Sequence, residues 1–548
     1  MVLNEWQLWH TYSTFFTVEV QDLEAAGRAL VESGIAVCAL HRDGKTFWES
    51  NNLICEGRTS IRMSSNSDKA SISLAPKDAK MSLNAFAKAS WLQACSLRFN
   101  EIRQFGDDEN LPPEAYIRAF LGRCDLDLGE EGLFYIYPNL KLYGSGVVLI
   151  EFQMLSPETG CKTEDFIKDY LDLPRKAIKQ ISVPPAIARL APTAYLYSKR
   201  ISSLRARVAL LILEKSHLKA VNQKTFSREE GEFNFDLAPL TNEEEADYDT
   251  LSNLALTIVG VVGYALVKHR KSLDFLLRGP AKFPQMGPFW VGRPHIYLLQ
   301  YENQRETAEE NERCYRNDFR QIMSKNWRTD FTRVVDDLPN NSRAFDDYTS
   351  YIGIASTLWV CAKKGLDSYE NDAGMGRKTF VYANQSIVEM LEYGYMLHRG
   401  LYERVVGHST PEAVLRARRD LVSLRQVMSG ASHFTELRDL LQAGWERFGI
   451  PSLQERTNEA LEIKASETAL IEARRVDRRG RLLSLVAGLV AVPPIANEVV
   501  GPIWTYFRWW QPTGAAFAKL FIDVVAVAFV GILIQILFWS YKRSTPHI

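Results

Sequence analysis

Two apolar segments near the carboxyl end constrain this chain most. Leu482–Val500 reads LLSLVAGLVAVPPIANEVV, and Leu520–Trp539 reads LFIDVVAVAFVGILIQILFW. As helices rising 1.5 Å per residue, segments of about 20 residues cross the roughly 30 Å hydrocarbon core of a bilayer. The second is interrupted by Asp523 and Gln535, the first by Pro493, Pro494, Asn497 and Glu498. Arg474, Arg475, Arg478, Arg479 and Arg481 precede the pair, and Lys542 and Arg543 follow it. The linker between them, WTYFRWWQPTGAAF, offers Trp504, Tyr506, Trp509 and Trp510 to an interfacial belt. Basic flanks stay inside and aromatic rings sit at the interface. The pattern predicts a transmembrane hairpin over 481–548, with spans at about 482–503 and 518–540 and both termini cytosolic.

The remaining chain is read by composition and punctuation. The 548 residues carry 65 Lys plus Arg against 66 Asp plus Glu, a net charge of −1, which argues against a nucleic-acid-coating protein. With 46% hydrophobic and 24% charged residues the chain is not disordered. Cys38, Cys55, Cys95, Cys124, Cys161, Cys314 and Cys361 lie scattered without a C-x-x-C pair, as expected of reduced thiols. The start, MVLNEWQLWHTYST, lacks a basic n-region and an apolar h-region, so no signal peptide is expected.

Alternating or apolar runs predict strands at Phe15–Val20, Ile35–Leu40, Leu133–Tyr137, Val147–Phe152 and His295–Gln300. Asp22–Ser33 and the charged Glu302–Lys325 read as helices. Ser227–Ala246 is the best linker, and Leu254–Val267 is short for a span and reads as a core element. Helices are expected over about Tyr382–Val406, from Pro411 to near Ser429, and over about Phe434–Arg447. Gly449-Ile-Pro451 breaks the chain before the capping box Ser452-Leu-Gln-Glu455, which opens a long stalk helix. The organisation is then an α/β domain at 1–226, a second α/β subdomain at 247–375, a helical bundle and stalk at 376–480, and the hairpin. The fold class is an α+β cytosolic domain followed by a helical stalk and a C-terminal transmembrane hairpin.

From Pro451 to Ile548 this arrangement resembles the CorA-type divalent-cation transporter superfamily: a stalk helix, an Arg-rich entry, a first span with a mid-helix proline, a short outer loop, a second span and a basic tail. The resemblance implies a homopentameric funnel in a bacterial inner membrane, passing hydrated magnesium or a similar cation under control of the cytosolic part. The family's Gly-Met-Asn signature is present only as its glycine, since Gly501 is followed by Pro502 and Ile503. Divergent members also stand beside bacterial defence systems such as type III CRISPR, which implies an alternative: a membrane effector gated by a small-molecule or nucleotide signal.

On a helix, Ser484, Gly488, Ala491, Ile495 and Glu498 share one face, with Asn497 and Gly501 near its outer end. These are the expected pore-lining residues, and Glu498 either contacts cations at the mouth, where carboxylate rings concentrate them, or sits in the outer interface beside Arg508. The arginines from Arg474 to Arg481 form either a lipid-facing collar or a ring at the inner entrance. Magnesium is expected as a transported or regulatory ion, with no covalently bound cofactor. The expected partners are a lipid bilayer, further copies of the chain and a small-molecule or nucleotide signal, and not nucleic acid. The chain has no H-E-x-x-H, no G-x-S-x-G and no paired-cysteine zinc site, so no enzyme is expected. Gly374-Met-Gly376-Arg-Lys378-Thr379 lacks the spacing of a phosphate loop. Asp336-Asp337, Asp346-Asp347 and Glu243–Glu245 read as solvated surface, with regulatory hydrated cations held between subunits as the alternative.

Overall fold

The computed structural model describes residues 1–17, 19–50, 53–64, 67–77, 82–106, 114–198, 204–240, 250–268, 286–288, 290–326, 338–343, 345–371, 376–407, 419, 422, 435–495, 498, 501–506, 517, 519–528, 531–532 and 535. It divides into two compact units, residues 1–407 with 416–459, and residues 408–415 with 460–548.

The first unit is built on one large sheet. Its strands are β1 (Val2–Phe15), β2 (Cys38–His41), β3 (Lys45–Ser50), β4 (Leu53–Ser64), β5 (Ser67–Pro76), β6 (Tyr116–Phe120), β7 (Cys124–Asp127), β8 (Leu133–Tyr143), β9 (Val147–Leu155), β10 (Cys161–Lys162), β11 (Gln180–Val183), β12 (Phe226–Glu230), β13 (Phe233–Pro239), β14 (Trp290–Tyr301), β15 (Tyr348–Ile352) and β16 (Thr357–Cys361). The main path runs β15-β16-β14-β1-β9-β8-β6-β2-β3-β4-β5, with β7, β11, β13 and β12 branching from β8. Strands from both 1–226 and 247–375 therefore share the sheet: β1 lies between β9 and β14, antiparallel to each. Helices of this unit are α1 (Leu23–Glu32), α2 (Ala85–Phe105), α3 (Pro185–Ser198), α4 (Leu204–Lys224), α5 (Leu251–Lys268), α6 (Ala308–Ser324), α7 (Lys363–Asn371), α8 (Lys378–Gly407) and α9 (Thr435–Phe448). The long α10 (Ile450–Ile495) and the short α11 (Gly501–Tyr506) follow.

Successive side chains of a strand point to opposite faces, so each strand can serve two environments. Trp6, Leu8 and Tyr12 of β1, Ile136, Leu140 and Leu142 of β8, and Val148, Ile150 and Phe152 of β9 join one apolar core. Helix α1, capped where Asp22 accepts from the Ala25 amide at 2.8 Å, adds Leu23, Ala26 and Leu30 to it. Helix α5 adds Leu254, Ile258 and Val262, so the apolar run 254–267 is a core helix. The intervening residues point the other way, and among them Thr11, Asn139, Lys141 and Glu151 are polar or charged. Arg118 of β6 stands opposite Lys141 of β8, Asn139 opposite Glu151 of β9, and Glu151 opposite Thr11. All five are buried. Both faces of the central strands are thus closed, one by apolar packing and one by charge.

The structure departs from the sequence expectations at several places. No described helix is long and apolar enough to cross a membrane. The transmembrane hairpin, the stalk-and-hairpin fold class, the channel and the bacterial inner-membrane location therefore do not stand. The strand expected from Phe15 onward lies on the other side of that residue, because β1 occupies Val2–Phe15. Part of the expected linker Ser227–Ala246 is the antiparallel hairpin of β12 and β13. The helix expected from Pro411 falls almost wholly outside the described residues.

In the second unit, α10 continues through Ala460–Ile495 and passes Gly480 without a break.

Candidate functional site

Two features of the first unit combine into one site: the charged face of the sheet under α8, and a cleft at the edge of that face beside α2.

Helix α8 presents Gln385, Glu389 and Glu392 at four- and three-residue spacing, hence along one stripe. Glu389 accepts from Arg118 at 2.5 Å and from the Lys141 ammonium at 2.8 Å. Lys141 also reaches Glu101 of α2 at 3.3 Å, and the Tyr116 hydroxyl donates to Glu101. Arg118 lies 3.7 Å from Glu151, which accepts from Gln385 at 2.5 Å; Tyr297 in turn donates to Gln385 at 2.6 Å. Further along, Arg293 donates to Glu392 at 2.6 Å, Ser13 donates to the other Glu392 oxygen at 3.0 Å, and the Arg293 guanidinium stands 3.6 Å over the Phe448 ring.

Isolated charges do not survive burial, so the network is organised as alternating signs. Burial raises the Glu389 carboxyl, but Arg118 and Lys141 more than reverse this and hold it below the usual range. Glu101 is likewise raised by burial and brought down below its ordinary value by Lys141 and Arg98. Glu151 goes the other way: burial, then the neighbouring Glu389, push it up and favour its protonated form. Burial alone carries His295 far down, with Arg293 and His10 adding to it. These groups are buried together and hold α8 in one register.

The cleft has a volume of about 510 Å³ and is lined by Arg42, Arg58, Arg98, His41, Asp43 and Thr59, with Leu40, Ile61 and Ile102 as apolar wall. The β2–β3 turn shapes one side. Gly44 there has φ +95°, and a Cβ at that position would collide with the Thr59 carbonyl. The Thr59 amide donates to the Gly44 carbonyl at 2.7 Å. Asp43 accepts from the Lys45 amide at 2.9 Å and hydrogen-bonds His41 at 2.7 Å. Burial raises Asp43, yet the Lys45 amide and His41 bring it below its ordinary value. The single carboxylate among the described lining residues is thus engaged in the turn. The opposite side is α2, whose Arg98 and Ile102 face the cleft one helical turn apart. Arg98 also lies 3.7 Å from Glu101, so it belongs to the cleft and the buried network alike.

The residues singled out from the sequence lie elsewhere. Ser484, Gly488, Ala491 and Ile495 fall in α10, with side chains outside the described set, and Asn497 lies outside the described residues. Glu498 is exposed, as are Pro502 and Ile503 of α11, which begins at Gly501. Of the collar, Arg474 and Arg479 are exposed on α10, and the side chains of Arg475, Arg478 and Arg481 lie outside the described set. Among the described residues no group of three or more His, Cys, Asp or Glu is placed to hold a metal ion. In the phosphate-loop look-alike, Gly376 makes a turn at φ +56° and Arg377 pairs with Glu5 and Glu370. Asp347 pairs with Arg343 at 2.8 Å.

Sequence reasoning missed Arg118, Lys141, Glu151 and Glu389 because each looks like a solvated residue in isolation. The legible signal was the polar residues Asn139 and Lys141 at alternate positions of β8 and Glu151 and Gln153 at alternate positions of β9, together with the Gln385, Glu389, Glu392 stripe. No family model, curated protein or solved structure matches the chain.

Proposed function

We propose that this chain is a receptor for an anionic small molecule of the phosphate-bearing class, a nucleotide signal included, bound in the cleft between the β2–β3 turn and α2. The observation that carries this reading is the convergence of Arg42, Arg58 and Arg98 on a cleft of about 510 Å³ whose one lining carboxylate is held by its own turn. Guanidinium groups match the paired oxygens of phosphate in geometry as well as charge. The volume falls within the range of small-molecule sites, and Leu40, Ile61 and Ile102 give an apolar surface for the uncharged part of such a ligand. The role is binding rather than catalysis: the one carboxylate among the described lining residues, Asp43, is engaged by the Lys45 amide and His41 of its own turn.

Thermal unfolding of the full chain with pyrophosphate, adenosine mono- and triphosphate, and their uncharged counterpart adenosine tests the reading. Ligand bound to the folded state alone raises the midpoint, here by about 2–4 °C near a hundredfold excess over the dissociation constant. The phosphorylated ligands raise it, adenosine does not, and Arg58→Ala removes most of the rise. Equal behaviour of adenosine and its phosphates sinks the proposal.

A further inference from the structure

Helix α2 has two working faces. Arg98 and Ile102 line the cleft, while Glu101 and Gln104 point at α8: Glu101 shares Lys141 with Glu389, and Gln104 donates to the Ala383 carbonyl at 2.9 Å. The path from cleft to α8 is continuous. Arg98 lies 3.7 Å from Glu101, Glu101 accepts from Lys141 at 3.3 Å, and Lys141 donates to Glu389 at 2.8 Å. Every member of the chain is buried. Charges in such surroundings interact strongly and cannot substitute water for a lost partner.

We infer that α2 transmits occupancy of the cleft to α8: an anion that draws Arg98 from Glu101 shifts Lys141 toward Glu101 and loosens the hold on Glu389. This regulation rests on the anion-receptor reading above. An anion in the cleft competes with Glu101, 3.7 Å away, for the Arg98 charge. Glu101, deprived of one cation, makes more of its other one, and Lys141 is the cation that Glu389 also uses. Glu389 keeps Arg118, so α8 is relaxed rather than released. Coupling of this kind is reciprocal: whatever loosens α8 also favours the anion.

Hydrogen–deuterium exchange of the full chain, with and without saturating pyrophosphate, tests the relay. Simple ligand stabilisation slows exchange everywhere, whereas the relay speeds it in Gln385–Leu397, by roughly tenfold for a coupling in the ordinary allosteric range. Amides of α1 serve as the internal reference. In Glu101→Gln, which still binds pyrophosphate, the acceleration in α8 disappears. The wild-type comparison decides the matter even if that variant does not fold. Pyrophosphate that binds while exchange in α8 is unchanged or slower overturns the relay and leaves the receptor reading standing. Pyrophosphate that does not bind at all removes the receptor reading, and the relay with it.

Discussion

Glu389 on α8 and Arg118 on β6 meet at 2.5 Å, each with no more than 2% of its side chain exposed. They are 271 residues apart in sequence, so the pair fastens a late helix to an early part of the sheet. Replacing Glu389 with Leu leaves Arg118 and Lys141 buried with one counter-charge fewer. Breaking such a network costs about 3–5 kcal/mol. Urea unfolding of Glu389→Leu should show that loss as a lower midpoint at unchanged slope.

Arg293 and Glu392 form a second buried pair at 2.6 Å. Either single change, Arg293→Met or Glu392→Leu, strands one charge and should destabilise by several kcal/mol. The double variant strands neither and should recover most of the loss, since apolar replacement of a whole buried pair is often neutral. A double-mutant cycle reads the difference, and additive losses would contradict the pairing.

His10 of β1 hydrogen-bonds the Tyr170 carbonyl at 3.0 Å. Burial, opposed by that hydrogen bond and assisted by Lys325, takes its pKa from 6.5 down to about 3. Below pH 6.5 the unfolded chain takes up a proton that the folded chain refuses. The contribution is therefore complete above 6.5 and is lost as pH falls toward 3, at about 1.4 kcal/mol per pH unit. His10→Gln can still donate to Tyr170 but does not titrate. Its stability should fall between pH 6 and pH 4 with a slope smaller by about one proton than that of the parent.

Much of the secondary structure was legible, and the reasons for the failures are physical. Alternation in Leu133–Tyr137 and Val147–Phe152 marks real strands, but alternation with polar residues ordinarily signals a wet face. Here α2 and α8 cover that face, and their matching charges lie far away in sequence. Strand β1 escaped notice for the same reason: His10, Thr11, Ser13 and Thr14 break its apolar pattern, yet all four are fully buried. At the carboxyl end, Leu482–Val500 was judged by apolar length. In the structure α10 is described over Ile450–Ile495, most of it rich in Glu and Arg, and no described helix is long and apolar enough to cross a membrane.

Gly44→Ala tests the turn that shapes the cleft. With φ at +95° and the Thr59 carbonyl in the way, an alanine should cost about 1–3 kcal/mol and weaken pyrophosphate binding as well. Calorimetric unfolding and titration of the same sample measure both.

Gly480 lies inside α10, and a Cβ there meets nothing within 4 Å. Gly480→Ala should therefore stabilise the helix by about 0.5–1 kcal/mol and slow amide exchange around it. Faster exchange would contradict a helix unbroken at that residue.

The most direct measurement is isothermal titration of the full chain with pyrophosphate at two salt concentrations, beside the variant Arg42→Gln/Arg58→Gln. The account predicts saturable one-site binding to the parent, weakened by salt and at least tenfold weaker in the variant. Absence of binding to the parent, or equal binding by parent and variant, would contradict it.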